Sequence, residues 1–79
     1  MADIKPDVSL DCKGLNCPMP VIKTKKALDS MSSGQILFMQ ATDPGTKADI
    51  AALLKRTGNE LVEMKEEKGE LLYYIKKTS

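Results

Sequence analysis

Short runs of apolar residues, bounded by polar and turn residues, predict four β-strands in this chain. Val8 and Leu10 alternate with Asp7, Ser9 and Asp11 in the first strand, and the last two strands are predicted at 60–66 and 70–77. The segment 35–41 has four successive apolar residues at its centre, which is typical of an interior strand. Residues 67–69 join the last two strands as a turn. In these two strands, one face is expected to carry Val62 and Met64, and then Leu71, Tyr73 and Ile75. Leu72 and Tyr74 are expected on the other face of the last strand.

Two segments between the strands, 18–31 and 46–57, carry apolar residues at the spacing of one helix face. The stripe of the first helix consists of Val21, Thr24, Ala27, Leu28 and Met31. The stripe of the second consists of Ile50, Leu53, Leu54 and Thr57. Thr46 followed by Asp49 resembles a capping box at the start of the second helix. Gly58 suits the position just after its end.

The predicted order of elements is β-α-β-α-β-β. Right-handed crossovers place both helices on the same face of the sheet if the strands are added on one side. The expected fold is therefore an α/β two-layer sandwich with a mixed four-stranded sheet and two helices on one face. Either Ile36 and Phe38 or Leu37 and Met39 then lie on the open face. Both a partner-binding patch and ordinary scattered exposure remain possible there.

The stretch 11–20, D-C-K-G-L-N-C-P-M-P, joins the first strand to the first helix and holds both cysteines. Pro18 suits the first helical position and Pro20 the first turn, where a missing N–H breaks no helical bond. Cys17 is then expected at the helix N-terminus, where unpaired N–H groups and the helix dipole stabilise an anion. We therefore interpret Cys17 as a candidate nucleophile with a lowered thiol pKa.

The sequence around Cys17 is basic. No acid occurs from residue 12 to residue 28, whereas four lysines do: Lys13, Lys23, Lys25 and Lys26. These charges would favour an anionic sulfur and attract acidic partner surfaces. Spacing alone fits equally well a helix start preceded by a small apolar residue. The lysines, together with the absence of histidine, favour the reactive sulfur.

The pattern D-x-x-G-x-x-C-P-x-P resembles the signature of the TusA/SirA-like family of small sulfur-carrier proteins. Its positions are occupied here by Asp11, Gly14, Cys17, Pro18 and Pro20. The resemblance covers about 8–77 and continues through Gly34, Asp43, Pro44, Asp49 and Ile50. It implies that Cys17 carries a persulfide sulfur from a cysteine desulfurase, or another sulfur donor protein, to a downstream acceptor protein. It also implies a place for Asp43 beside the cysteine turn, where the simpler interpretation is a turn or N-cap carboxylate.

Composition narrows the other possibilities. The 79 residues are expected to form one domain, 1–79, with 1–6 frayed. A net charge of +1 argues against general polyanion binding, and no aromatic residue accompanies the lysines of the first helix. No direct nucleic-acid binding is therefore expected. Two cysteines with four residues between them, and no histidine, cannot supply the four protein ligands of a structural metal site. We expect neither a metal nor a cofactor.

The expected compartment follows from what the sequence lacks. No apolar run approaches the roughly 18 residues needed to span a bilayer. The N-terminus lacks the apolar core of a signal peptide. We expect no membrane contact and a cytoplasmic location, where thiols are kept reduced.

Two functions remain open at this point. The first is a sulfur carrier that relays sulfur through Cys17 toward tRNA thiolation or other sulfur metabolism. Such a carrier is a sulfurtransferase-type relay rather than a stand-alone enzyme. The alternative is a thiol-redox or regulatory module that uses a Cys12–Cys17 disulfide. Cys12 is expected to be a small buried apolar residue, although it could also act as a second thiol.

Overall fold

The computed structural model of the chain describes residues 5–16 and 18–78. The elements, in chain order, are β1 (Val8–Cys12), α1 (Met19–Asp29), β2 (Ile36–Ala41), α2 (Thr46–Thr57), β3 (Glu60–Glu67) and β4 (Glu70–Lys76). This is the predicted order, with α2 at its predicted bounds and the ends of the other elements within two residues of theirs. Lys5 and Pro6 are exposed and precede β1. The rest of the segment predicted to be frayed, 1–4, lies outside the described residues.

The described strands form one mixed sheet in the order β1-β2-β4-β3. β1 is parallel to β2, whereas β4 is antiparallel to both β2 and β3. The connection through α2 carries the chain from β2 to β3 at the sheet edge. The β3–β4 hairpin then brings β4 back between β3 and β2. The predicted α/β class with a mixed sheet is confirmed.

The two faces of the sheet differ sharply along β2. Leu37, Met39 and Ala41 are fully buried, and they belong to one core cluster with apolar residues of both helices. Ile36 and Phe38 alternate with them and are only half-buried. The helices thus cover one face, and it is the Ile36/Phe38 pair that lies on the open one.

In β4 the buried side chains are those of the predicted face, whereas the register of β3 is irregular. Leu71, Tyr73 and Ile75 are buried, as expected. In β3 the register shifts between Leu61 and Glu63, so that Leu61 lies opposite Ile75 and Met64 opposite Tyr73. Val62 lies at this irregularity and has no partner in the register with β4. The prediction that it shares a face with Met64 stays a prediction.

The start of α2 also differs from expectation. Gly45 is its N-cap residue, and the helix has no side-chain cap. Thr46 is already the first helical residue, and its hydroxyl donates to the carbonyl of Asp43. The predicted capping box is therefore wrong, because the Thr46 side chain is committed to a different bond. The helix end is as predicted: Gly58 has a φ of +82°, and its N–H donates to the carbonyl of Leu54.

None of the helices in the described part of the chain is long and apolar enough to cross a bilayer.

The division of β2 into a buried and an open face can be tested with neighbouring alanine substitutions. Leu37→Ala should lower the free energy of unfolding by about 2–5 kcal/mol, because it leaves a cavity in the core. Ile36→Ala should cost less than half as much, because its side chain is only half-buried. Urea unfolding followed by circular dichroism measures both. Equal losses would contradict the assignment of the two faces.

Candidate functional site

A compact turn leads from β1 toward α1. The carbonyl of Cys12 accepts the N–H of Leu15 at 3.2 Å, and a carboxylate oxygen of Asp11 accepts the N–H of Lys13 at 2.9 Å. Gly14 has a φ of +81°, a conformation that side-chain-bearing residues rarely adopt. Asp11 and Gly14, two positions of the sequence motif, therefore both shape the turn that precedes Cys17.

The start of α1 lies directly after this turn. The sequence predicts Pro18 as the first helical residue. In the structure Pro18 is the N-cap residue, and the first helical residue is Met19. Pro20 is in the first turn, as expected, and is fully buried. Cys17 itself lies outside the described residues. Its interpretation as the nucleophile at the helix start therefore stays a prediction.

Two prolines limit the backbone donors at this helix end. Pro18 and Pro20 have no N–H, and the N–H of Met19 donates to the carbonyl of Asn16 at 3.0 Å. The N–H of Ile22 donates to the carbonyl of Pro18 at 3.1 Å, which is the first regular helical bond. Three of the first four positions, 18–20, therefore have no N–H to offer an anion. The helix dipole and the exposed lysines of α1 add positive potential at this end.

The lysines predicted to dock partners are all exposed: Lys13, Lys23, Lys25 and Lys26. Lys25 forms a salt bridge with Asp29, one helical turn further on, at 2.9 Å. That ion pair lowers the pKa of the Asp29 carboxyl and offsets part of the charge of Lys25. Two large apolar side chains, Met19 and Ile22, are each 42% exposed on the first turns of α1. The sequence analysis did not single them out, because they fall outside the core stripe.

A second turn follows β2 and lies beside the first. Asp43 accepts the N–H of Gly45 through its carboxylate at 3.0 Å and the N–H of Thr46 through its carbonyl at 3.0 Å. The interpretation of Asp43 as a turn carboxylate is confirmed. The Thr42 hydroxyl oxygen accepts the N–H of Gly14 at 2.9 Å, which joins this turn to the one before Cys17. Asp43 follows Thr42 in this second turn, and its role beside Cys17 stays a prediction.

Thr42 is the residue of this site that the sequence analysis missed. The partner of its hydroxyl lies 28 residues away along the chain. The contact depends on the parallel register of β1 and β2, in which Cys12 lies opposite Ala41. A threonine just after a strand gives no sequence signal for such a bond.

Cys12 is a core residue. Its side chain is a free thiol with no exposed surface, and it lies across from the fully buried Ala41. Burial raises the pKa of this thiol; Lys23 opposes the shift and Asp11 adds to it. Cys12 is therefore protonated near neutral pH and has the buried position predicted for it.

Comparisons with known proteins agree with this geometry. Residues 8–77 match the family described as Sulfurtransferase TusA. A sulfur carrier protein TusA from Allochromatium vinosum is 54% identical over 78 residues, which span 99% of this chain and 100% of the relative. A putative sulfur carrier protein, YrkI, from Bacillus subtilis is 47% identical over 74 residues, which span 94% of this chain and 99% of the relative.

The fold has a counterpart among solved structures. The crystal structure of a SirA-like protein from Desulfitobacterium hafniense superposes with a TM-score of 0.78. The match covers 91% of this chain and 99% of that one at 22% sequence identity. This likeness supports the architecture. From its sequence match over residues 8–77 and its full-length relatives, this chain belongs to the TusA family of sulfurtransferases.

Proposed function

We propose that this protein is a small sulfur carrier that holds a sulfane sulfur as a persulfide on Cys17 and passes it to an acceptor protein. A carrier of this kind needs an accessible thiol, and the sequence contains two cysteines. The observation that carries the proposal is the burial of Cys12 in the core, which leaves Cys17 as the candidate carrier. Relatives named as sulfur carriers match almost the whole chain, which supports the same role.

The chemistry is a pair of thiol–persulfide exchanges. The Cys17 thiolate attacks the terminal sulfur of a donor persulfide. The donor S–S bond breaks, and the donor cysteine leaves as a thiolate. A thiolate of the acceptor then attacks the terminal sulfur on Cys17 and releases Cys17 as a thiolate. Electrons balance in both steps, so no oxidant, metal or cofactor is required.

The partners follow from this chemistry. A cysteine desulfurase, or another protein with a persulfide, would supply the sulfur, and a downstream acceptor would remove it. The protein is then a relay that returns to its starting state only when both partners have acted, which distinguishes it from a stand-alone enzyme. A reducing compartment keeps Cys17 available as a thiolate, so we place the protein in the cytoplasm.

The alternative, a Cys12–Cys17 disulfide switch, requires Cys12 to react. Burial opposes this in two ways, because it excludes other reactants from the sulfur and keeps the thiol protonated. Local opening of β1 or the following turn would have to precede each oxidation. The position of Cys12 therefore favours the carrier over the switch.

Sulfur loading tests the assignment to Cys17. After incubation with a cysteine desulfurase and cysteine, mass spectrometry should find one added sulfur atom on Cys17. Cys17→Ser should load none, because a hydroxyl cannot form a persulfide. Cys12→Ala should load and release sulfur nearly as the unaltered protein does. A Cys12→Ala variant that loads but cannot release would instead make Cys12 a resolving thiol.

The buried thiol can be tested in the Cys17→Ser variant, whose only thiol is Cys12. Iodoacetamide should label it slowly in the folded protein and rapidly in urea. Above roughly pH 8.5 the unfolded thiol ionises while the buried one stays protonated, so the free energy of unfolding should fall until the folded thiol also ionises.

The matched control is the double variant Cys12→Ala/Cys17→Ser. It has no thiol, so its free energy of unfolding should not show the fall at alkaline pH that Cys12 causes. Falls caused by other titrating groups should be the same in both variants. Urea unfolding at several pH values gives the two curves. Parallel curves would show that Cys12 does not ionise differently in the folded and unfolded chains.

The lysines of α1 are expected to steer partners. Because Lys25 is already paired with Asp29, Lys23→Glu/Lys26→Glu is the sharper variant. Sulfur loading from a desulfurase should slow roughly tenfold at low salt and much less at high salt, as expected for screened steering. The control, Lys55→Glu/Arg56→Glu in the last turn of α2, makes the same charge change at the other helix. Equal slowing at all salt concentrations, or in both variants, would contradict steering by α1.

A further inference from the structure

One long-range hydrogen bond ties the turn before Cys17 to the end of β2. The N–H of Gly14 donates to the Thr42 hydroxyl oxygen at 2.9 Å, across 28 residues of sequence. The bonds from Leu15 to Cys12 and from Lys13 to Asp11 are local and shape the turn from within. The Thr42 bond instead fixes where the turn stands relative to the sheet.

A second tie from this turn to the fold, among the described residues, is apolar. Leu15 is partly buried and packs against the core cluster. Such a contact holds the turn down but leaves its orientation free, because apolar contact has no directional preference. A hydrogen bond weakens steeply when its angle departs from linear. The bond to Thr42 therefore supplies the directional constraint that Leu15 cannot.

Thr42 itself stands at the edge of a well-anchored turn. The carbonyl of its neighbour Asp43 accepts the hydroxyl of Thr46 at 2.8 Å. The Thr46 oxygen lies 2.9 Å from the hydroxyl of Tyr73 in the core. Because the single Thr46 hydroxyl proton is used for Asp43, Tyr73 is the donor in this pair. A chain of buried hydroxyls thus fixes the 42–45 turn to β4.

We propose that Thr42 is a positioning residue for Cys17: it transmits the rigidity of this anchored turn to residues 13–16, which lead directly to the carrier cysteine. The inference rests on the proposed function, since it concerns the same thiol. Thr42 is exposed, so its bond contributes little to overall stability and its effect falls on the turn. Loss of the bond would let the segment around Cys17 move relative to α1 and its lysines, and the thiolate would be less stabilised.

The test compares Thr42→Val with Thr42→Ser in a Cys12→Ala background, where Cys17 is the only thiol. Valine keeps the shape and removes the acceptor oxygen, whereas serine retains it. The rate of iodoacetamide alkylation is measured against pH. With Thr42→Val, the alkylation rate at neutral pH should fall roughly three- to tenfold. The midpoint of the rate-against-pH curve should move toward that of a free cysteine. Thr42→Ser should stay close to the background protein.

A matched control comes from the far end of α2. The Thr57 hydroxyl donates to the carbonyl of Leu53, so Thr57→Val also removes a threonine hydrogen bond. It should leave the alkylation profile unchanged even if it lowers the melting temperature. A Thr42→Val profile equal to that of Thr57→Val, or a serine variant as impaired as the valine, would overturn the proposal.

A second measurement reports on the bond directly. Amide hydrogen exchange at Gly14 should become several-fold faster in Thr42→Val and stay unchanged in Thr42→Ser. The Leu15 amide serves as an internal reference.

The alkylation and sulfur-loading measurements also separate the positioning role of Thr42 from the proposed sulfur-carrier function. If the alkylation profile shifts as expected but the background protein never accepts sulfur, the proposed function fails and the positioning role stands. If sulfur loads normally and the profile does not shift, the positioning role fails alone.

Discussion

The parallel pairing of β1 with β2 is the constraint on which the candidate site depends. Two parallel strands end at the same edge of a sheet, so the turns that follow them are neighbours. With Cys12 opposite Ala41, the residues after these two positions meet, and the Gly14 N–H reaches the Thr42 hydroxyl. α1 begins from one of these turns and α2 from the other. A different register would separate the turns and the motif residues within them.

The same register sets the environment of Cys12. Side chains alternate between the faces of a strand, so Cys12 falls on the helix-covered face together with Leu10. Its thiol lies in the core, where burial keeps it protonated. Cys17 follows after the turn, in the stretch where the lysines of α1 begin. A shift of one residue in the register of β1 would move the Cys12 side chain from the helix-covered face to the open face of the sheet.

The surface around the start of α1 suits transfer between proteins. Exposed apolar side chains, Met19 and Ile22, lie among exposed lysines, so contact and charge attraction are available together. Pro18 and Pro20 have no N–H, and that of Met19 is bonded to the carbonyl of Asn16. The helix dipole and the lysines add positive potential at this helix end, and both act without a dedicated hydrogen bond.

The sequence by itself determined the six elements, their order and the motif turn, because periods of two and 3.6 residues and the positions of glycine and proline are local properties. It could not determine that β4 lies between β2 and β3, nor that the register of β3 shifts between Leu61 and Glu63. It also gave Thr46 a capping role, whereas the fold bonds its hydroxyl to Tyr73, 27 residues away. Such contacts, like that of Thr42, join distant residues whose meeting depends on strand register, and only the tertiary structure decides that.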